Sequence, residues 1–174
     1  MEIKKKKSGG GFTLIELLLV LAIIGLMSSI AWVYTTGVRE KAKITKAQED
    51  IRQIYNAIAI LDSNTEQWPD HKTPFLIQEG AADNEICSDG CIFSLSDPRA
   101  GLSATDGNFP GWAGPYLAAI PKDPWGKEYF FDTDYDVQPG AGEIWAAVIG
   151  SYGPNGAGLN QYDSDDVIFI VISE

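Results

Sequence analysis

Residues 11–37 read G-F-T-L-I-E-L-L-L-V-L-A-I-I-G-L-M-S-S-I-A-W-V-Y-T-T-G, and Glu16 is the one charge between Phe12 and Val38. About 20 apolar residues span a bilayer core as a helix, so the stretch predicts a transmembrane segment over 12–38. Four lysines, Lys4 to Lys7, stand just before it. Lysines flanking a span stay cytoplasmic, which places the N-terminus inside and everything after residue 38 outside. A carboxylate at bilayer depth costs roughly 2.5–3.5 kcal/mol on insertion scales, so Glu16 marks a function and needs a partner. A secretory signal peptide would carry its apolar run ahead of an A-x-A-like cleavage site, and none is present.

These residues carry a resemblance. Gly11-Phe12-Thr13-Leu14-Ile15-Glu16, with lysines before it and an apolar helix after it, resembles the class III signal of type IV pilins and pseudopilins. The resemblance implies cleavage after Gly11 by a prepilin peptidase, removal of a basic leader (1–11), and methylation of the new amine on Phe12. It assigns Glu16 to assembly. In a filament core of low dielectric, that carboxylate would neutralise the Phe12 amine of a neighbouring subunit.

Net charge is −11 but unevenly distributed. Residues 1–11 carry +3, residues 12–60 carry +1, and residues 61–174 carry −15 from four basic and nineteen acidic side chains. Nucleic-acid binding needs a basic face, which the acidic C-terminal part does not offer. The acidity suits a cation site or solubility.

Beyond the span, Ala47, Ile51, Ile54, Ile58 and Leu61 recur at three- and four-residue spacing. This predicts that the same helix continues over 39–62 as an amphipathic half whose stripe packs on a domain. Asp62-Ser63-Asn64 and Trp68-Pro69 end it. Gly25 and Gly37 lie inside as weak points, and Gly25, Ser28 and Ser29 are small enough for close packing between helices in a membrane. Val33 stands where many pilin-like chains have a proline.

Residues 63–112 are rich in Pro, Gly, Asp, Asn and Ser and show no lasting periodicity, which predicts a loop-rich region. Cys87 and Cys91, the only cysteines, stand in C-S-D-G-C. In an exported domain the pair most simply forms a disulfide around an Asp89-Gly90 turn, with two free thiols as the alternative. His71 is the only histidine and is expected on the surface, without a metal or catalytic role.

From residue 113 the sequence predicts an antiparallel sheet laid on the helix. Candidate strands are Tyr129 to Phe131, Ile144 to Ile149 and Val167 to Ile172. Tyr116, Trp125 and Tyr129 are expected to bury against the helix stripe. The fold class is therefore α+β: a long N-terminal helix on a small antiparallel sheet over 113–174, as in pilins. G-P-Y-L at Gly114, P-K-D-P-W-G at Pro121, S-Y-G-P-N-G at Ser151 and D-D-V at Asp165 are similar to the major pseudopilins of type II secretion systems. The likeness covers residues 11–62 and 113–167. It implies a subunit of a short periplasmic filament that helps export folded proteins.

The loop Ser151 to Asp166 gathers oxygen donors between glycines. Calcium takes six to eight oxygens, and this is not an EF-hand. The resemblance implies one calcium ion here. By position, Asn155 falls on an aspartate ligand, Asp165 and Asp166 on its paired aspartates, and the carbonyl of Tyr152 on a main-chain ligand. Asp163 could restore the charge that Asn155 lacks.

No nucleophile–histidine pair or phosphate loop appears, so no enzyme is expected. The implied partners are other copies of the chain, prepilin peptidase, minor pseudopilins, and an inner-membrane platform driven by a cytoplasmic ATPase. No nucleic acid is expected. Two alternatives stay open: a subunit of a surface pilus, and a membrane-anchored binding module that never polymerises.

Overall fold

The computed structural model describes residues 11–77, 85–87, 93–140 and 142–173, apart from the side chains of 30–36. One helix, α1 (Leu14–Thr65), opens the chain, and three strands follow: β1 (Phe130–Asp136), β2 (Trp145–Ser151) and β3 (Val167–Ser173). The chain divides into two compact units, Met1–Lys41 and Ala42–Glu174.

In the first unit the described residues are helical from Leu14 onward, through Gly25 and Gly37. A Cβ at either glycine would meet nothing within 4 Å. Phe12, Leu14, Ile15, Leu18, Leu21 and Leu26 are all more than half exposed. Among the described residues no helix is long and apolar enough to cross a membrane. The expected span over 12–38 includes residues 30–36, whose side chains lie outside that set. Lys4 to Lys7 also lie outside it.

The second unit is built on the predicted stripe. Ala47, Ile51, Ile54, Ile58 and Leu61 are all buried, and Ala57 joins them. The helix stops where Thr65 turns its hydroxyl back to donate to the Leu61 carbonyl at 2.7 Å. Gln67 N–H donates to the same hydroxyl at 3.2 Å, and Glu66 has left helical geometry at φ 55°. Trp68 then inserts fully into the core, edge-on to Phe131 at 5.6 Å.

The strands form one antiparallel sheet in the order β1-β2-β3. Phe131 pairs with Ile149, and Ile149 with Phe169. Phe131, Ala147, Ile149 and Val167 lie in the core cluster of the helix stripe. Phe130, Tyr135, Ala146 and Val148 form a second cluster with Cys87 and Tyr152. Strand β1 is thus buried along its whole length. The expectation of a single apolar face falls short here. The Glu85–Cys87 segment pairs with the edge of β1 through Ile86, which exchanges backbone hydrogen bonds with Phe131 at 2.9 and 3.0 Å, and Cys87 joins the cluster on the other face. Gly150 allows this packing, since a Cβ there would lie 2.6 Å from the Phe130 ring.

The aromatic contacts divide. Tyr129 is fully buried, and its hydroxyl donates to Asp50 on α1 at 3.0 Å. Tyr116 and Trp125 are only partly buried. In the region 63–112, two short 3-10 turns stand at Pro69–His71 and Pro98–Ala100. Leu95, Ala100, Leu102 and Phe109 from this region reach the core. His71 is half-buried, contrary to the expected exposed position. Its ring packs 4.1 Å from Phe109, and its nitrogens face Gln67 Oε1 and Asp106 Oδ2, each at 3.0 Å. Cys87 is disulfide-bonded. The expected partner Cys91 and the Asp89-Gly90 turn lie outside the described residues.

Candidate functional site

At the amino terminus, Thr13 and Glu16 bind each other. The Thr13 N–H and hydroxyl both donate to Glu16 Oε2 at 2.9 Å, and Glu16 N–H donates back to the Thr13 hydroxyl at 3.4 Å. This is a capping box: Thr13 caps α1 while the glutamate three residues on reaches back. T-L-I-E carries that signal in the sequence, next to its reading as part of a processing signal. The cap gives Glu16 a partner within its own chain. Phe12, Glu16, Leu17 and Val20 line one exposed apolar hollow.

The second candidate is the loop between β2 and β3. It begins where Asp123 of the D-P-W-G turn accepts from the N–H groups of Trp125 at 3.0 Å and Lys127 at 2.7 Å. The same carboxylate accepts from the Ser151 hydroxyl at 2.5 Å. Gly153 follows at φ 59°, and a Cβ there would lie 2.2 Å from the Asp165 carbonyl. The two ends of the loop therefore close on each other as only glycine permits.

Within the loop, Asn155 Nδ2 donates to Asp163 Oδ2 at 2.8 Å and to Asp165 Oδ1 at 2.5 Å. Asn155 N–H donates to Asp165 Oδ2 at 3.0 Å. Asp166 turns inward, where its Oδ2 accepts from Tyr135 Oη at 2.7 Å and from Asp163 N–H at 2.6 Å. Its Oδ1 is buried without a partner. Burial raises the Asp166 carboxyl to about 6, against the opposing bonds from Tyr135 and Asp163. Exposed Asp163 is instead held below the usual carboxylate range, first by the Asn155 amide and then by Ser164 N–H.

The predicted donors thus split. Asp163 and Asp165 converge on the Asn155 amide, while Asp166 faces the sheet. Among the described residues no three Asp, Glu, His or Cys side chains meet at metal-ligand spacing. The donor chemistry still suits calcium: these are hard oxygens, the backbone closes tightly at Gly153, and one buried carboxylate oxygen is unsatisfied.

Beneath the loop lies a feature that sequence reading missed. Glu85, Asp132, Asp134 and Asp136 are buried with Asp166. Burial first, and then the nearby Asp134 carboxyl, raise the Asp132 carboxyl well above its ordinary range. The Tyr152 hydroxyl is also raised, by burial and then by the charges of Asp132, Glu85 and Asp166. A bulge between Asp132 and Tyr135 breaks the alternation of F-F-D-T-D-Y-D, so period-two spacing could not have placed these acids.

Comparison with known proteins settles the family. Residues 6–32 match the prokaryotic N-terminal methylation motif, and residues 99–168 match the protein G family of the type II secretion system. The type II secretion system core protein G of Aeromonas hydrophila is 30% identical over 127 residues, which cover 72% of this chain and 73% of that one. The chain belongs to the core protein G family of type II secretion systems. The core protein G of Escherichia coli K12 is 29% identical over 84% of this chain and 82% of its own length. The major pseudopilin of enterohaemorrhagic Escherichia coli, known from a crystal structure, aligns with a TM-score of 0.46 at 20% identity, covering 76% of this chain and 86% of that one. As a core protein G with a methylation motif, the chain is a pseudopilin of the type II secretion machinery. The family match begins at residue 99, ahead of Gly114 where the sequence likeness became readable.

Proposed function

We propose that this core protein G is stored in the inner membrane through residues 12–38, with its C-terminal domain in the periplasm. Prepilin peptidase cuts after Gly11 and methylates the amine of Phe12. The processed chain then leaves the bilayer and polymerises through α1 into a periplasmic filament that helps export folded proteins. The supporting observation is the surface of the first unit: its large apolar side chains are exposed, and Glu16 is held at the helix start by Thr13. Such a surface is favourable in lipid and equally favourable against copies of itself, where close packing replaces lipid contact. In the filament, Glu16 exchanges its Thr13 contacts for the Phe12 amine of a neighbour and so sets register. The inner-membrane platform and minor pseudopilins are the assembly partners in this reading.

In the periplasmic domain, Asn155, Asp163, Asp165, Asp166 and the Tyr152 carbonyl are the residues that would hold calcium. Bound there, the ion supplies positive charge that neutralises the loop carboxylates. The chain's own contribution is to close the loop at Gly153 and anchor it to Asp123 through Ser151. The Cys87–Cys91 pair closes the small loop beside the Ile86–Phe131 contact.

Replacing Glu16 with Ala tests the assembly role. Membrane insertion is expected to stay normal while incorporation into filaments and secretion fall. Normal incorporation of the variant would overturn the role given to Glu16.

A further inference from the structure

The two edges of the sheet differ. On the β1 edge, Ile86 pairs with Phe131 and Gln161 with Asp136, and β1 is buried along its whole length. The other end strand is β3. After Val167 every residue of β3 is at least partly open to solvent, and Ile170 is 44% exposed. Among the described residues, no backbone hydrogen bond joins β3 to anything but β2. V-I-F-I-V-I-S contains no charge, proline or glycine. Charges and prolines are the features that ordinarily blunt an open edge.

A groove opens on that edge. Its walls are Gln48, Ile51 and Arg52 of α1 and Ile168 and Phe169 of β3. Successive residues of a strand point to opposite faces of the sheet. Here Ile168 packs with the Phe130 cluster, while Phe169 packs with the helix stripe. A hollow that touches both lies along an edge of the strand, and β2 fills the inner edge. The groove holds about 190 Å³. A cavity of roughly 150 Å³ accepts benzene, so a branched or aromatic side chain fits. Arg52, in the groove wall, is exposed and forms no ion pair among the described residues.

We infer that the β3 edge is a docking site for an extended segment of another polypeptide. The segment adds as a further strand, sets an apolar side chain in the groove, and brings a carboxylate to Arg52. A row of open backbone N–H and C=O groups calls for an extended partner, because a helix satisfies its own. Main-chain bonds hold such a strand, and alternate side chains select it. The Arg52 guanidinium selects an acidic residue, which its planar fork of donors matches. A second copy of the chain does not fit. Antiparallel pairing of two β3 edges relates the copies by a two-fold axis perpendicular to the sheet. The α1 segments packed on the sheet then run in opposite directions, which copies held in one membrane by their N-termini cannot do. That exclusion rests on the membrane placement proposed above; the docking itself does not.

The test uses the processed full chain in detergent, with the acetylated peptide T-V-E-V-T-V-T as the probe and hydrogen–deuterium exchange as the readout. Saturating peptide is expected to slow exchange across β3 by about tenfold. The same peptide N-methylated at every residue, and so without main-chain donors, is expected to protect nothing. Exchanging its glutamate for lysine is expected to weaken binding by about tenfold. Arg52→Ala is expected to erase that preference while keeping the exchange pattern of the unliganded wild type. Absence of protection, equal protection by the methylated peptide, or an unchanged preference in Arg52→Ala would overturn the site. Protection of β3 that grows with protein concentration without peptide would assign the edge to a second copy, and would overturn it as well.

Discussion

Tyr135 on β1 donates its hydroxyl to Asp166, the last residue before β3, across 2.7 Å. Both side chains are buried, so the bond ties the sheet to the end of the loop where water cannot replace it. Hydrogen bonds to charged groups contribute about 1.5–3 kcal/mol. Tyr135→Phe is therefore expected to lower stability by an amount in that range. Urea unfolding of the full chain in detergent measures it, and an unchanged midpoint would contradict the role of this bond.

Gly153 is the tightest point of the same loop. Left-handed backbone costs a non-glycine residue roughly 1–3 kcal/mol, and a Cβ would also overlap the Asp165 carbonyl. Gly153→Ala should destabilise the domain by at least that much and leave the N-terminal processing site untouched. The measurement is the thermal midpoint of the variant against wild type. A wild-type midpoint would mean the loop is not closed as described.

Asp106 sets a pH dependence beside His71. Its carboxyl is lowered to about 2, first by the Asn108 N–H and further by His71. A carboxyl depressed on folding adds stability that is present above its unfolded value, near 3.8, and lost as pH falls through about 2. Asp106→Asn should flatten the acid limb of the stability curve between pH 4 and 2. Because Asp106 is exposed, the change is small. Parallel acid limbs for the variant and the wild type would count against the assignment.

Much of this architecture could be read before any coordinates, where periodicity and burial coincide. Ile51, Ile54, Ile58 and Leu61 announce their face through spacing alone, and all four are buried. The strands at Trp145 and Val167 were legible because β-branched and aromatic residues cluster there. Strand β1 was read only as far as Phe131, because Asp132, Asp134 and Asp136 look like solvent-facing residues. They are buried where Ile86 pairs with Phe131 and residues 160–162 pair with Asp136, a long-range arrangement that no local pattern encodes. His71 was misplaced for the same reason: Phe109 and Asp106 approach it from more than thirty residues away. The Thr13–Glu16 cap was local and readable, but its four residues were absorbed into the processing signal.

The account rests on maturation at Gly11, and the intact mass of the chain recovered from membranes containing prepilin peptidase tests it most directly. The predicted mass lacks residues 1–11 and carries one added methyl group on Phe12. A full-length, unmethylated chain would contradict the account and leave a membrane-anchored domain that never enters a filament.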